Sequence, residues 1–363
     1  MKILACASDP GGARNVAPVM LEALKQNIEI VVLSSKQTKN IFLNYGINNR
    51  NIQSYTNKKI AEILLKEGPD VILCGATRFG YKLPELYIID LGKNNNIPSA
   101  VVFDEWFYYA RRFWNENKEL KHLPNIIFCQ DKLALTEACS EGVPKKLLQI
   151  TGSPAYSEIY YSKRKLFLNK KPNKKINILF ISEAHSEAYG SKIGDKGPHG
   201  VFQGYTEITV RETIARVINL LDKKVNLKEK LHPNQKLKLL KPINLLGGSN
   251  WHICAINSNL DELLLEADIV IGMRSAVLLE AWLLGKKVIS FQPNLLVENK
   301  CTVSRRGFVK HIKTENVLFK ELRKILEEYK NDSGNKSTPP KFCDKNASIN
   351  ILNNLKEIQS NYE

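Results

Sequence analysis

The feature that most constrains this chain is a repeated grammar of short apolar runs and amphipathic helical stretches. It runs from residue 2 to residue 154, stops, and begins again at residue 176. In the first half the apolar runs are KILACAS (2–8), IEIVVLSS (28–35), DVILCGAT (70–77), SAVVFDE (99–105), NIIFCQD (125–131) and LLQITGSP (147–154). Helical stretches such as VAPVMLEALKQ (16–26) and KKIAEILLKEG (58–68) separate them. Runs that are apolar on both faces and joined through helices predict a parallel sheet covered on each side. The second half repeats the pattern but not the residues, with INILFISE (176–183), WHICAIN (251–257), DIVIGM (268–273) and KKVISFQP (286–293) as its runs.

Residues 163–175, between the halves, carry seven basic residues, no acidic one and Pro172. This reads as a solvated linker. The predicted architecture is α/β, with two Rossmann-like domains, 1–162 and 176–330, whose parallel sheets face a central cleft where open α/β sheets take ligands. Residues 331–348 are polar and contain Pro339-Pro340, which predicts a mobile loop. Residues 349–363 put Ile351, Leu352, Leu355 and Ile358 on one helical face, predicting a helix that packs back on the first domain. A length of 363 residues suits two domains of roughly 150 residues each.

A composition of 43% hydrophobic and 25% charged residues excludes collagen, a coiled-coil rod and a wholly disordered chain. No apolar run reaches the ~18 to 20 residues of a membrane span. The opening MKILACASDPGG turns too early for a signal-peptide core, so the expected location is the cytosol. The seven cysteines are scattered without a CxxC pair and read as small buried hydrophobes, not as a disulfide framework or zinc site. The net charge of +16 is spread over the chain, with 22 Lys+Arg against 16 Asp+Glu in residues 1–165 and 31 against 21 in the rest. Such a surface suits a phosphorylated small molecule or peripheral contact with the anionic inner face of a membrane. No RNA-binding signature accompanies it, so nucleic acid is not an expected partner.

Five segments carry candidate chemistry, each at the end of an apolar run. Asp9-Pro10-Gly11-Gly12-Ala13-Arg14 follows the first: paired glycines allow close backbone approach to a donor or acceptor, and Arg14 adds charge. Asp104-Glu105 ends SAVVF, where a carboxylate can take a proton from an acceptor hydroxyl, and Trp106, Phe107, Tyr108 and Tyr109 beside it can stack on a sugar. Asp104 and Glu105 are the first choices for a catalytic base and Asp9 the next. Ser182-Glu183-Ala184-His185 follows ILFI and is dense in titratable groups; it lacks HExxH spacing, so no metal site is expected. His232-Pro233 holds a histidine extended at a strand end. In Arg274-Ser275, after DIVIGM, the serine opens a helix and can meet a diphosphate, and Glu280 sits five residues on in an otherwise apolar helix, where it can hold ribose hydroxyls.

The arrangement D-I-V-I-G-x-x-S-x-x-x-x-E-A-x-x-x-G-K-x-V-I over residues 268–289 resembles the nucleotide-binding segment of GT-B glycosyltransferases and of their relatives, the UDP-GlcNAc 2-epimerases. Gly142-Val143-Pro144 followed by Thr151-Gly152-Ser153-Pro154 is similar to the end of the first domain in those enzymes. His232-Pro233 is similar to the His-Pro pair of bacterial sialyltransferases and CDP-glycerol polymer transferases. Arg274 and the first glycine loop depart from the family patterns. The resemblance implies a GT-B fold and a nucleotide-sugar site in the second domain, with Glu280 on the ribose and Ser275 on the phosphates. It implies no metal and no cofactor beyond the donor.

The leading expectation is a metal-independent glycosyltransferase moving a sugar from a nucleotide-sugar to a hydroxyl of a glycan or lipid-linked acceptor, in surface polysaccharide or glycolipid synthesis. Its alternative is a nucleotide-sugar 2-epimerase or hydrolase of the same fold, using Glu183, His185 and Asp9. A non-enzymatic basic RNA- or membrane-binding protein is the third reading.

Overall fold

The computed structural model describes residues 1–76, 83–168, 175–221, 225–232, 235, 251–328 and 338–362. The chain forms two compact units, Met1–Ser162 with Thr338–Glu363, and Lys163–Ser337.

The first unit is built on a parallel sheet of β1 (Lys2–Ala7), β2 (Glu29–Ser34), β3 (Arg50–Asn51), β4 (Val71–Gly75), β5 (Ser99–Val102), β6 (Ile126–Cys129) and β7 (Leu148–Ile150). Among the described residues its order is β3-β2-β1-β4-β5-β6-β7. The winding therefore reverses between β1 and β4, which pair from Ile3↔Val71 to Cys6↔Cys74. Strands buried on both faces need cover on both. The helix Pro10–Lys25 supplies much of it, with Val16, Ala17, Met20 and Ala23 buried against Ile3, Ala5, Val71 and Leu73. Asp9 starts this helix as an N-cap, its side chain accepting from the Gly11 N–H at 2.9 Å.

The second unit repeats the plan with β8 (Ile176–Ile181), a short antiparallel hairpin of β9 (Lys196–Gly197) and β10 (Gly200–Val201), then β11 (Val225–Lys230), β12 (Trp251–Cys254), β13 (Ile269–Gly272), β14 (Lys287–Phe291) and β15 (His311–Ile312). The parallel sheet has the order β12-β11-β8-β13-β14-β15, and its reversal falls between β8 and β13. Ile178, Phe180, Ile269 and Ile271 form its core with Val210, Ile214 and Val217 of the helix Glu207–Asn219. No helix among the described residues is long and apolar enough to cross a membrane.

Two stretches differ from the sequence expectation. The basic stretch at 163–175 is not all solvated linker, because Lys163 ends a helical turn and Arg164–Leu168 is helical. Arg164 is buried and donates to the Leu283 carbonyl at 2.7 Å, so one of the seven basic residues spends its charge inside the second unit. Residues 169–174 lie outside the described residues. The polar stretch 331–348 is not a mobile loop throughout. Residues 331–337 lie outside the described residues, but Phe342 and Cys343 are buried. Phe342 meets the rings of Trp106 and Tyr156, and its carbonyl accepts from the Ser153 N–H at 2.8 Å. The last helix is Ala347–Ser360, and Ile351, Leu352 and Leu355 pack into the first unit's core beside Val16 and Met20.

Gly152 makes that return possible. Its φ is +84°, and a Cβ there would lie 2.8 Å from the Asp344 Cβ and 3.3 Å from the Ala347 Cβ. Gly152→Ala combines a left-handed backbone penalty with overpacking. We expect it to cost about 2–4 kcal/mol in denaturant unfolding. A loss below about 0.5 kcal/mol would show that the C-terminal segment does not rest on this contact.

Candidate functional site

In doubly wound sheets the strand ends beside a reversal of winding lie open, and that is where ligands bind. Both reversals here collect the residues singled out in the sequence.

In the first unit Asp9, Gly11, Gly12 and Asp104 converge. Gly12 lies against the end of β4: a Cβ on it would sit 3.0 Å from the Gly75 Cα. A Cβ on Gly11 would collide with the Asp104 Oδ2 and lie 3.3 Å from the Asp9 Oδ1. The paired glycines therefore make room for a strand and a carboxylate of the chain itself. Asp104 is 5% exposed and pairs with Arg112 through Oδ1 and Nη1 at 2.6 Å. The same Nη1 donates to the Ala76 carbonyl at 2.8 Å, which ties the ends of β4 and β5 together. Asn15, also buried, donates to the Gly11 carbonyl at 3.1 Å and accepts from the Ser153 hydroxyl at 2.9 Å, joining the glycine turn to the TGSP segment.

Asp104 and Glu105, expected at a strand end as the base for an acceptor hydroxyl, are both buried. Asp104 is locked in an ion pair, and Glu105 is buried, with its carbonyl accepting from the Gln130 amide at 3.3 Å. The aromatic run is core, not a sugar platform. Trp106 stacks on Tyr156 at 5.6 Å and donates to Asp131 at 3.1 Å, and Tyr109 donates to Glu137 at 2.9 Å. Arg14 is exposed on the helix Pro10–Lys25.

In the second unit the ends of β8 and β13 are bridged by a side chain. Glu183, just past β8, accepts through Oε1 from the Arg274 N–H at 2.7 Å and the Ser275 N–H at 2.9 Å. The helix expected to open at Ser275 begins at Val277, whose N–H donates to the Ser275 hydroxyl at 3.3 Å. The Ser275 amide assigned to phosphate is thus engaged by Glu183. Burial raises the Glu183 carboxyl above the usual range, although the Arg274 N–H and guanidinium and the Ser275 N–H favour its charged form.

His185 lies beside this bridge, 2% exposed, between Tyr205 at 4.4 Å in a near-parallel stack and Tyr189 at 4.8 Å. Burial first, and the Arg274 charge second, lower its pKa to about 3, against a hydrogen bond to Gln203 that raises it. Arg274 lies over the Tyr189 ring and donates to the Gln203 side chain at 3.2 Å. The His185 Nε2 and the hydroxyl of Ser182 are buried with no hydrogen-bond partner among the described residues. Such orphans are rare in folded proteins. Below them, Glu207 accepts from the N–H and hydroxyl of Ser186 at 2.8 and 2.5 Å, pinning the turn that carries His185.

His232, partly buried past β11, donates its N–H to the Gln235 side chain at 3.3 Å. Burial and Lys230 lower its pKa. Pro233 lies outside the described residues. Glu280 is buried, 8% exposed, in the first turn of the helix Val277–Leu283. No group of three His, Cys, Asp or Glu side chains among the described residues is placed to hold a metal ion. The sequence reading did not single out Arg112, Gln203, Tyr189 or Tyr205. The clue for Gln203 and Tyr205 was Gln203-Gly204-Tyr205 closing a glycine-rich stretch that Tyr189-Gly190 opens; Arg112, in Arg111-Arg112-Phe113, reads as surface charge.

Three solved structures share this fold. UDP-GlcNAc 2-epimerase from Neisseria meningitidis, bound to UDP-GlcNAc, superposes with a TM-score of 0.68 at 18% identity, over 98% of this chain and 100% of that one. The Methanocaldococcus jannaschii UDP-GlcNAc 2-epimerase gives 0.67 at 18%, over 98% and 100%. MurG from Acinetobacter baumannii gives 0.56 at 11%, over 98% and 99%. The fold is GT-B. No family sequence model matches the chain. No curated protein matches it by sequence.

Two outcomes follow from the two clusters. Arg112→Met leaves the Asp104 carboxylate buried and unpaired, so it should cost about 3–5 kcal/mol in chemical denaturation, and Asp104→Leu combined with it should recover part of that loss. An additive double variant would show that the pair is not coupled. For His185, the unfolded chain binds a proton below the ordinary value of 6.5 while the folded chain resists it down to about 3. Stability from this residue is therefore full above pH 6.5 and falls as pH drops through that window. Ring NMR signals of His185 should not titrate between pH 5 and 8; a midpoint near 6.5 would contradict the burial argument.

Proposed function

We propose that this chain is a nucleotide-sugar enzyme that works without a sugar acceptor, a 2-epimerase or hydrolase of UDP-N-acetylhexosamine type, with its reactive groups in the second unit. The observation that carries the reading is the pair of buried orphan atoms, the His185 Nε2 and the Ser182 hydroxyl, beside Glu183 and Arg274 at the β8–β13 reversal. Inverting a carbon next to the anomeric centre requires a group that takes a proton and a group that returns one on the other face. Hydrolysis requires a base that activates water. Glu183, a carboxyl whose pKa burial raises above the usual range, is the group proposed for proton transfer. Arg274 supplies positive charge for the leaving phosphate, and His185, held neutral, can orient a hydroxyl or water. Glu280 remains the proposed ribose ligand and Ser275 a phosphate neighbour. His232 completes the carboxyl edge.

The transferase reading loses support because, of its candidate bases, Asp104 is paired with Arg112, Glu105 is buried, and Asp9 caps the helix Pro10–Lys25. The UDP-GlcNAc 2-epimerase structures also superpose more closely, at 0.68 and 0.67, than MurG does at 0.56. In this reading the substrate is the only small-molecule partner, no separate cofactor takes part, and the reaction belongs to the cytosolic supply of sugars for surface polysaccharides.

Incubating the chain with UDP-GlcNAc and no acceptor should give the C2 epimer, or free sugar with UDP, resolved by anion-exchange chromatography and NMR. Glu183→Gln and His185→Asn should each lower turnover by about 10²-fold or more. Sugar release only when an acceptor glycan is added would restore the transferase reading.

A further inference from the structure

On the β2 side of the first unit's reversal, a cavity of about 330 Å³ opens beyond the carboxyl ends of β1, β2 and β3. Its polar wall is Ser8, Ser35, Gln37, Gln53, Tyr55 and Asn57, all uncharged, and Ile52, Ile60 and Pro84 form apolar patches among them. Part of the wall is fixed by internal hydrogen bonds. The N–H and hydroxyl of Ser8 both donate to Glu85 Oε1 at 2.6 Å, and the Ser35 hydroxyl donates to the Ser8 carbonyl at 2.8 Å. The Gln53 side-chain oxygen accepts from the Lys36 N–H at 3.3 Å, so its NH2 group is the end left to meet a ligand.

The lining selects a ligand class by elimination. Among the described residues no Lys, Arg or His lines the cavity, and the buried Glu85 carboxylate stands directly behind Ser8. On that wall a phosphate would lose hydration without gaining a cation. A cation would find no carboxylate among the described lining residues. A purely apolar ligand would strip water from six polar side chains. Ring hydroxyls, in contrast, both donate and accept, as do Ser, Tyr, Gln and Asn side chains, and the C–H face of a sugar matches Ile52, Ile60, Pro84 and the Tyr55 ring. The volume lies at the small end of ligand pockets and suits one ring more than a nucleotide-sugar.

We infer that this cavity binds a single uncharged sugar ring, a hexopyranose or its N-acetyl derivative, at a site of its own on the first unit. The inference does not depend on the nucleotide-sugar reading. The test is ligand-observed saturation-transfer NMR on the full chain, titrating methyl β-N-acetylglucosaminide. Saturation transfer with a dissociation constant on the order of millimolar is expected, because much of the wall is solvent-exposed. It should persist in saturating UDP and in Glu183→Gln, which separates it from the proposed reactive site. Gln53→Ala and Asn57→Ala, both at exposed positions, should each weaken binding about three- to tenfold with an unchanged circular-dichroism spectrum. N-acetylglucosamine 6-phosphate should bind more weakly than the neutral glycoside. No saturation transfer at tens of millimolar would overturn the inference. So would binding that ignores both variants, that is abolished by UDP, or that favours the phosphorylated sugar.

Discussion

The constraint on which the rest depends is the reversal of winding in each parallel sheet, between β1 and β4 and between β8 and β13. On either side of it the connections leave toward opposite faces, so no connection covers the strand ends between them. Backbone groups there still need partners. The first unit answers with a cation: Arg112 takes the Ala76 carbonyl and the Asp104 carboxylate. The second unit answers with an anion: Glu183 takes the Arg274 and Ser275 amides. One topological problem thus has two solutions of opposite sign, and the sign sets what each place can do.

The first solution closes its strand ends. A buried Asp–Arg pair gives back most of its Coulomb gain as desolvation, so its worth lies less in stability than in fixing one arrangement of the β4 and β5 ends. Gly11 shows how tight that arrangement is, since even one methyl group would meet the Asp104 carboxylate. The second unit carries a comparable pair, Arg211 with Glu229 at 2.8 Å, where Trp251 also donates to Glu229 at 3.1 Å. That pair locks the helix Glu207–Asn219 to β11.

The two-sheet plan was legible because buried parallel strands are short and uniformly apolar, and DVILCG and DIVIG can hardly be anything else. The ends of those strands were legible as sites for the same reason: Asp9, Asp104, Glu183 and Ser275 are polar residues where apolar runs stop. Their partners were not legible. Arg112 reads as one more surface cation in a chain of net charge +16 and turns out 2% exposed. Arg164 was hidden in the same way by its basic neighbours, and Phe342-Cys343 by the polar residues around it. Pairing across a reversal joins residues far apart in sequence, such as Glu183 and Ser275, and no local pattern records which carboxylate meets which amide. The glycines at 11 and 12 signalled close approach correctly, but what approaches is Asp104 and the backbone of β4.

The acid–base roles then follow from environment. An imidazole whose pKa lies near 3 is not the imidazolium at neutral pH, so in the proposed reading His185 acts as a neutral hydrogen-bonding group. Asp104 is engaged by the buried Arg112 guanidinium at 2.6 Å. Glu183 is different. Burial pushes its carboxyl above the usual range, against the Arg274 charge and the backbone hydrogen bonds that favour the charged form. In the proposed reading, Glu183 has to loosen its hold on Arg274 and Ser275 to act, which frees the same two amides for a phosphate oxygen. Donor binding and release of the base are then, in that reading, one event: the anion that displaces Glu183 from the backbone leaves the carboxylate beside the orphan atoms of His185 and Ser182.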